Sequence, residues 1–181
     1  SLAYRGAPSA YGRNTAFQKP EYNLAEIAKA EDTEANVRLS FDQLTARILR
    51  EPWQVKGRSD ETVAYILSRI RETEMASNLT FNSVLRQAVS NLVRYGNAFL
   101  AKVRDTEFSS GSEVRRYGRD LAPVVAVFSV DPTSMAAKRD DLGNILKWQQ
   151  CIPGMGDREF RKENIIHVAY GRKDGFLFGT P

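Results

Sequence analysis

The chain reads as an α+β protein in which N-terminal helices pack on a mostly antiparallel β-sheet. Three observations predict this class. Between Val37 and Tyr95 the apolar residues recur at steps of three and four, which gives a helix one buried face. From Ala98 onward they come instead in short runs rich in Val, Ile and Phe, the signature of strands. The connections between those runs are hydrophilic, so helices come first and a sheet follows.

The change of rhythm falls inside Phe81 to Lys102. Phe81, Leu85, Ala88, Leu92 and Tyr95 mark the apolar face of one helix. Gly96 ends it, because glycine enters the left-handed conformation that closes a helix at little steric cost, and Asn97 tolerates the same region. Tyr95, Gly96 and Asn97 are therefore expected to form a structural corner, with a positive φ at Gly96 and a strand beyond it.

The elements follow in order. Ser1 to Asn23 has no sustained periodicity and reads as an extended arm, whose Tyr4, Tyr11, Phe17 and Tyr22 are rings that could dock on a neighbouring chain. Leu24 to Ala35 is a short helix. A stronger one runs from about Val37 to Arg50, with Phe41, Leu44 and Ile48 as its buried face. Pro52 stops it, since proline lacks the amide hydrogen and disfavours helical geometry in the residue before it. Trp53 to Lys56 reads as a short strand. Gly57 to Asp60 is a turn, with Asp60 as the cap of a helix from Glu61 to Glu74 whose core face is Val63, Ile66, Leu67 and Ile70. Thr80 or Asn78 caps the helix ending at Tyr95. Four strands are expected in the second half: Ala98 to Arg104, Val124 to Val130, Ile145 to Cys151 and Ile165 to Tyr170. Asp105 to Asp120 suits a mobile hairpin loop and Asp140 to Asn144 a turn. Residues 1–36 form an arm with a short helix, and residues 37–181 one domain.

Composition narrows the function classes. Charged residues make up 27% of the chain, close to the globular average of about 25%, which excludes a disordered polyelectrolyte. The net charge of +4 comes from 26 basic and 22 acidic residues with interspersed signs, a balance that permits DNA contact without demanding it. Cys151 is the only cysteine, so no intramolecular disulfide forms, which suits a reducing cytoplasm or a particle assembled there. No apolar run approaches the ~20 residues of a membrane span, and the start of the chain lacks a signal pattern, so no membrane partner is expected. Asn78-Leu79-Thr80 matches a glycosylation sequon by a three-residue coincidence.

No catalytic, cofactor or metal site is expected. His167 is the only histidine, which excludes chemistry that needs two; on its strand it reads as a half-buried, hydrogen-bonded imidazole, not as a general base. Cys151 reads as a small core residue, because a nucleophile would need a base beside it. Gly154-Met155-Gly156 lacks the third glycine of a dinucleotide loop, and no phosphate-binding loop ending in Gly-Lys-Ser/Thr occurs. Asp140-Asp141 does not follow calcium-loop spacing. Arg115, Arg116, Arg119, Lys138, Arg139 and the Arg161-Lys162 pair are basic clusters in loops, read as solvated charge or as contacts to DNA or a partner.

Several short motifs recur in a telling order. A helix ends in Glu51-Pro52-Trp53-Gln54-Val55. Later comes Tyr95-Gly96-Asn97-Ala98-Phe99-Leu100, then Val127-Phe128-Ser129-Val130-Asp131-Pro132, then Asp141-Leu142-Gly143-Asn144 running to Trp148-Gln149. Ile165-Ile166-His167, Gly175 and Gly179-Thr180-Pro181 close the series. In this succession, over about Phe41 to Pro181, the chain resembles the wing region of bacteriophage portal proteins, the head-to-tail connectors of tailed phages. The resemblance carries Pro52, Trp53, Asp131, Pro132, His167 and Gly179 as family-like positions of packing, not of catalysis.

It further implies a structural protein in a dodecameric ring at one capsid vertex, assembled in the host cytoplasm and retained in the virion. Double-stranded DNA would pass the ring during packaging and ejection, touched non-specifically through its backbone. The implied partners are other copies of the chain, the major capsid protein, a head-tail adaptor and terminase. Portal proteins continue after Gly-Thr-Pro into stem, clip and crown, so the resemblance implies a longer protein beyond Pro181. The alternatives from the residues alone are a small cytoplasmic metal-dependent nucleic-acid-processing enzyme, with acids of the Asp105 to Asp141 region holding metal, and a capsid-associated adaptor.

Overall fold

A computed structural model describes residues 17–20, 22–104, 123–140, 143–172 and 176–181. The Asp105 to Asp120 loop, Tyr4, Tyr11, Asp141, Leu142 and Gly175 lie outside the described residues. The architecture is α+β, with four helices among the described residues leading into strands. The helices are α1 (Leu24–Thr33), α2 (Ala35–Ile48), α3 (Asp60–Ser77) and α4 (Phe81–Tyr95). The strands are β1 (Asn97–Arg104), β2 (Val124–Val130), β3 (Met135–Arg139), β4 (Ile145–Ile152), β5 (Gly156–Arg161) and β6 (Ile165–Ala169). They divide into two three-stranded antiparallel sheets, ordered β2-β1-β6 and β3-β4-β5.

The helical layer departs from expectation in four places. Trp53 to Lys56 forms no strand. Trp53 instead sets its ring edge against Phe81, 5.1 Å between centroids, and its indole N–H donates to Asn82 Oδ1. The cap of α3 is Ser59, whose hydroxyl accepts from Thr62 N, so Asp60 is already helical. On α2 the expected buried face is mostly in solvent: Leu44 is 49% and Ile48 58% exposed, while Thr45 is buried. On α3, Ile66 is likewise exposed, and Val63, Leu67 and Ile70 are half-buried.

α4 carries the layer. Thr80 caps it through Ser83 N, and the Glu74 carboxylate reaches across from α3 to accept from Phe81 N at 2.7 Å. Its deeply buried residues are Val84, Ala88 and Tyr95. Arg94 ties it to the preceding helices through Glu31 at 2.7 Å and Asp42 at 3.1 Å. α4 packs on β1 and α3 on β2, where Arg69 donates to Val124 O at 3.1 Å.

The main core lies between the two sheets. Phe99, Ala101, Val130 and Ile165 come from the first; Met135, Ala137 and Trp148 come from the second; Leu177 and Phe178 close it. The strands without a sequence expectation, β3 and β5, flank β4. Met135, Ala136 and Ala137 are almost wholly buried, and Ala137 also exchanges backbone hydrogen bonds with Gln18 of the arm, at 2.7 and 2.8 Å.

Candidate functional site

Three separate stretches of chain meet at the end of α4. Gly96 takes φ 65, and its amide donates to Leu92 O at 3.0 Å, so the helix closes in one residue. Asn97 follows at once as the first residue of β1, with no exposed surface. A buried amide must be satisfied at both ends or it costs about 1–3 kcal/mol per orphaned group. Asn97 is satisfied fully. Its Nδ2 donates to Tyr95 O at 2.8 Å and to Gly179 O at 3.3 Å. Its Oδ1 accepts from Gly179 N at 2.8 Å and lies 3.0 Å from His167 Nε2. Toward Gly179 the side chain behaves as a peptide group does in a strand pair, clasping the Phe176 to Pro181 segment to the corner.

Since Asn97 Oδ1 is an acceptor here, the neutral His167 ring presents its proton on Nε2. The ring stacks on Phe99, its cross-strand partner, at 4.4 Å and 2° between planes, and meets Trp148 and Phe178 edgewise or tilted at 5.1 and 5.9 Å. Burial, with the positive charge of Arg172 second, pushes its pKa down to about 4. The imidazole thus serves as a neutral donor in a mostly apolar wall. Burial and the carboxylate of Asp131 raise the pKa of Tyr95, the last residue of α4.

That depressed pKa predicts a pH dependence. The unfolded chain takes up a proton near pH 6.5 and the folded one only near 4, so the unfolded state binds more protons between these values. Stability is complete above pH 6.5 and falls as pH drops toward 4, by up to about 3 kcal/mol for this one group. Urea unfolding of the wild type and of His167→Gln at pH 7 and 4.5 checks this: the substitution should flatten the difference, and equal slopes would refute the assignment.

The other expected positions are placed as follows. Pro52 is exposed. Asp131 caps a short 3-10 turn over Pro132–Ser134 through Thr133 N and Oγ1, at 2.9 and 2.7 Å, and Pro132 is buried. Lys138 and Arg139 are not loop residues; both sit on β3, half-buried, and Arg139 Nε donates to Gly143 O at 2.8 Å to brace the turn into β4. Arg161 ends β5, and Lys162 begins a 3-10 turn. Arg115, Arg116 and Arg119 lie outside the described residues. Cys151 is partly buried on β4, its pKa raised by burial and then by Asp157. Among the described residues no three His, Cys, Asp or Glu side chains gather where a metal could bind. Among them, too, no helix is long and apolar enough to cross a membrane.

Sequence reasoning missed a concavity on the surface. An open groove of about 800 Å³ lies between the two sheets, walled by β1 and β2 on one side and by β4, β5 and the turn after it on the other. Its Arg158 and Phe160 alternate on β5, a signal too short to read as a strand.

Comparison with known proteins adds the fold. No protein-family model matches the chain, and no curated protein sequence does. Solved structures do match. A chain in the neck of an empty gene transfer agent (GTA) particle computed with C6 symmetry superposes with TM-score 0.70 at 10% identity, over 93% of this chain and 42% of that one. A chain in the virion of a native GTA particle gives 0.67 at 10% identity, over 93% and 41%. One in the neck of a native GTA particle computed with C12 symmetry gives 0.66 at 10% identity, over 92% and 40%. The chain shares their fold and spans about two fifths of their length.

Proposed function

We propose that this chain is the wing portion of a portal-like ring subunit of a phage-type particle, with residues 37–181 as the wing domain and 1–36 as an arm and short helix. The observation that carries the reading is the fold shared, over 93% of this chain, with a chain from a particle neck. The motif order supports it independently. Tyr95, Gly96, Asn97, His167 and Gly179 are positions carried by the resemblance to portal proteins, and they meet in one clasp. The role is structural: the clasp orders chain segments and offers no activated nucleophile.

On this reading the intact protein assembles as a dodecameric ring, in keeping with the C12 symmetry applied to one neighbour's particle. The ring sits at one vertex of the virion after assembly in the host cytoplasm. It contacts the major capsid protein, a head-tail adaptor and terminase, and passes double-stranded DNA with sequence-independent backbone contacts. Each subunit interface is heterologous and closed by rotation.

The test is assembly of the intact protein. Negative-stain images and sedimentation should show large closed rings, and a monomer under assembly conditions would sink the proposal. Incubation with plasmid DNA and Mg²⁺ should leave the DNA uncut; metal-dependent cleavage would favour the nucleic-acid-processing enzyme instead.

A further inference from the structure

The groove between the sheets has a floor and a rim of different chemistry. Val103 and Phe128 face it at 37% exposure each, so apolar side chains of β1 and β2 stay open to solvent here. Phe160 continues this floor from the opposite wall, half-buried. Arg158 stands over the Phe160 ring with its guanidinium 5.0 Å from the centroid, and Arg104 is oriented by Asn164 at 3.1 Å. The lining holds Lys102, Arg104, Arg158 and Arg161 against the two acids Asp131 and Glu159, and Glu159 pairs with Lys147 at 2.9 Å. The described lining therefore presents a cationic rim over an apolar floor.

The topology adds a backbone element. β2 and β5 are the terminal strands of their sheets among the described residues, and both line this groove. A terminal strand offers a row of amide and carbonyl groups to a further strand. On β5 the charges of Asp157, Arg158, Glu159 and Arg161 discourage indiscriminate pairing, so only a complementary strand suits it. The volume of about 800 Å³ falls in the range of peptide-sized and ligand-sized sites, about 300–1,000 Å³, and is too small for a duplex.

We propose that this groove docks an extended acidic peptide segment of another protein, added as a strand along β5, whose groove-facing side chains are by turns apolar, against Val103 and Phe128, and acidic, beside Arg158. Backbone pairing supplies affinity, and alternate side chains supply selection. The surface is separate from the Asn97 clasp and does not depend on the ring reading.

The probe is a fluorescein-labelled heptapeptide, Thr-Glu-Thr-Val-Thr-Glu-Thr, which puts glutamate and valine on one face of a strand, titrated against the 181-residue chain by anisotropy. Its lysine-for-glutamate counterpart and a single-stranded oligothymidylate run in parallel. The glutamate peptide should bind, more weakly as salt rises, and the lysine peptide should not. Arg158→Glu and Phe128→Ser should each weaken binding at least about tenfold, while Arg47→Glu on the distant α2 should not. Should a groove variant misfold by circular dichroism, amide shifts of the wild type decide: perturbations must centre on β2 and β5. No binding, binding indifferent to both groove variants, shifts centred elsewhere, or tighter binding of the oligonucleotide at these residues would each overturn the proposal.

Discussion

Trp148→Ala is expected to cost about 3–5 kcal/mol, the range for emptying a buried tryptophan site. The indole is 2% exposed and stands on the central strand of the second sheet, between Ala137 and Phe160 in register. It meets Phe99 and His167 edgewise at 5.1 Å each, and Phe178 at 6.3 Å. These rings come from the first sheet and from the segment that closes the core, so the cavity would open where three parts of the chain join. A domain is commonly stable by only about 5–15 kcal/mol, and such a loss brings the midpoint of urea unfolding close to buffer conditions. Trp53, at the far end of α4 against Phe81, remains as a fluorescent reporter. A loss below about 1 kcal/mol would mean that Trp148 does not join the sheets as described.

The second large effect is expected at the clasp. Gly96 is left-handed, and a Cβ there would lie within 3.0 Å of the Thr180 carbonyl and Pro181 N. A Cβ on Gly179 would meet Gly96 O and the Tyr170 backbone just as closely. Backbone cannot rotate aside as a side chain does. Gly96→Ala and Gly179→Ala should each cost about 2–4 kcal/mol, from strain or from release of the segment that buries Leu177 and Phe178. Because release satisfies both clashes at once, the double variant should cost little more than the worse single one. Strict additivity in urea unfolding would show that the two glycines serve separate contacts.

The corner itself was legible because the signal is local and strong: α4 has an unbroken apolar period, and Gly96 sits one residue past it. The α+β class followed from the same change of rhythm. The division into two sheets did not. β3 reads Met-Ala-Ala-Lys-Arg, where small residues buried on both faces give no alternation, and β5 has one apolar side chain among charges because it is a terminal strand. Periodicity on α2 identified an apolar face correctly as a pattern but said nothing of what covers it, and Leu44 and Ile48 are exposed. The clasp joins Asn97 to a glycine 82 residues away; His167 and Gly179 stood out as motif positions, but that they meet Asn97 is a product of the tertiary fold.

One residue separates α4 from β1, and that brevity has a mechanical meaning. A flexible loop between helix and sheet would absorb a push on the helix by bending. Gly96 has no slack to give, since its amide closes α4 and its carbonyl accepts from Tyr170 N at 2.8 Å. The helix axis and the sheet are joined as two arms of one bracket, so force applied along α4 reaches β1 as torque on the whole sheet.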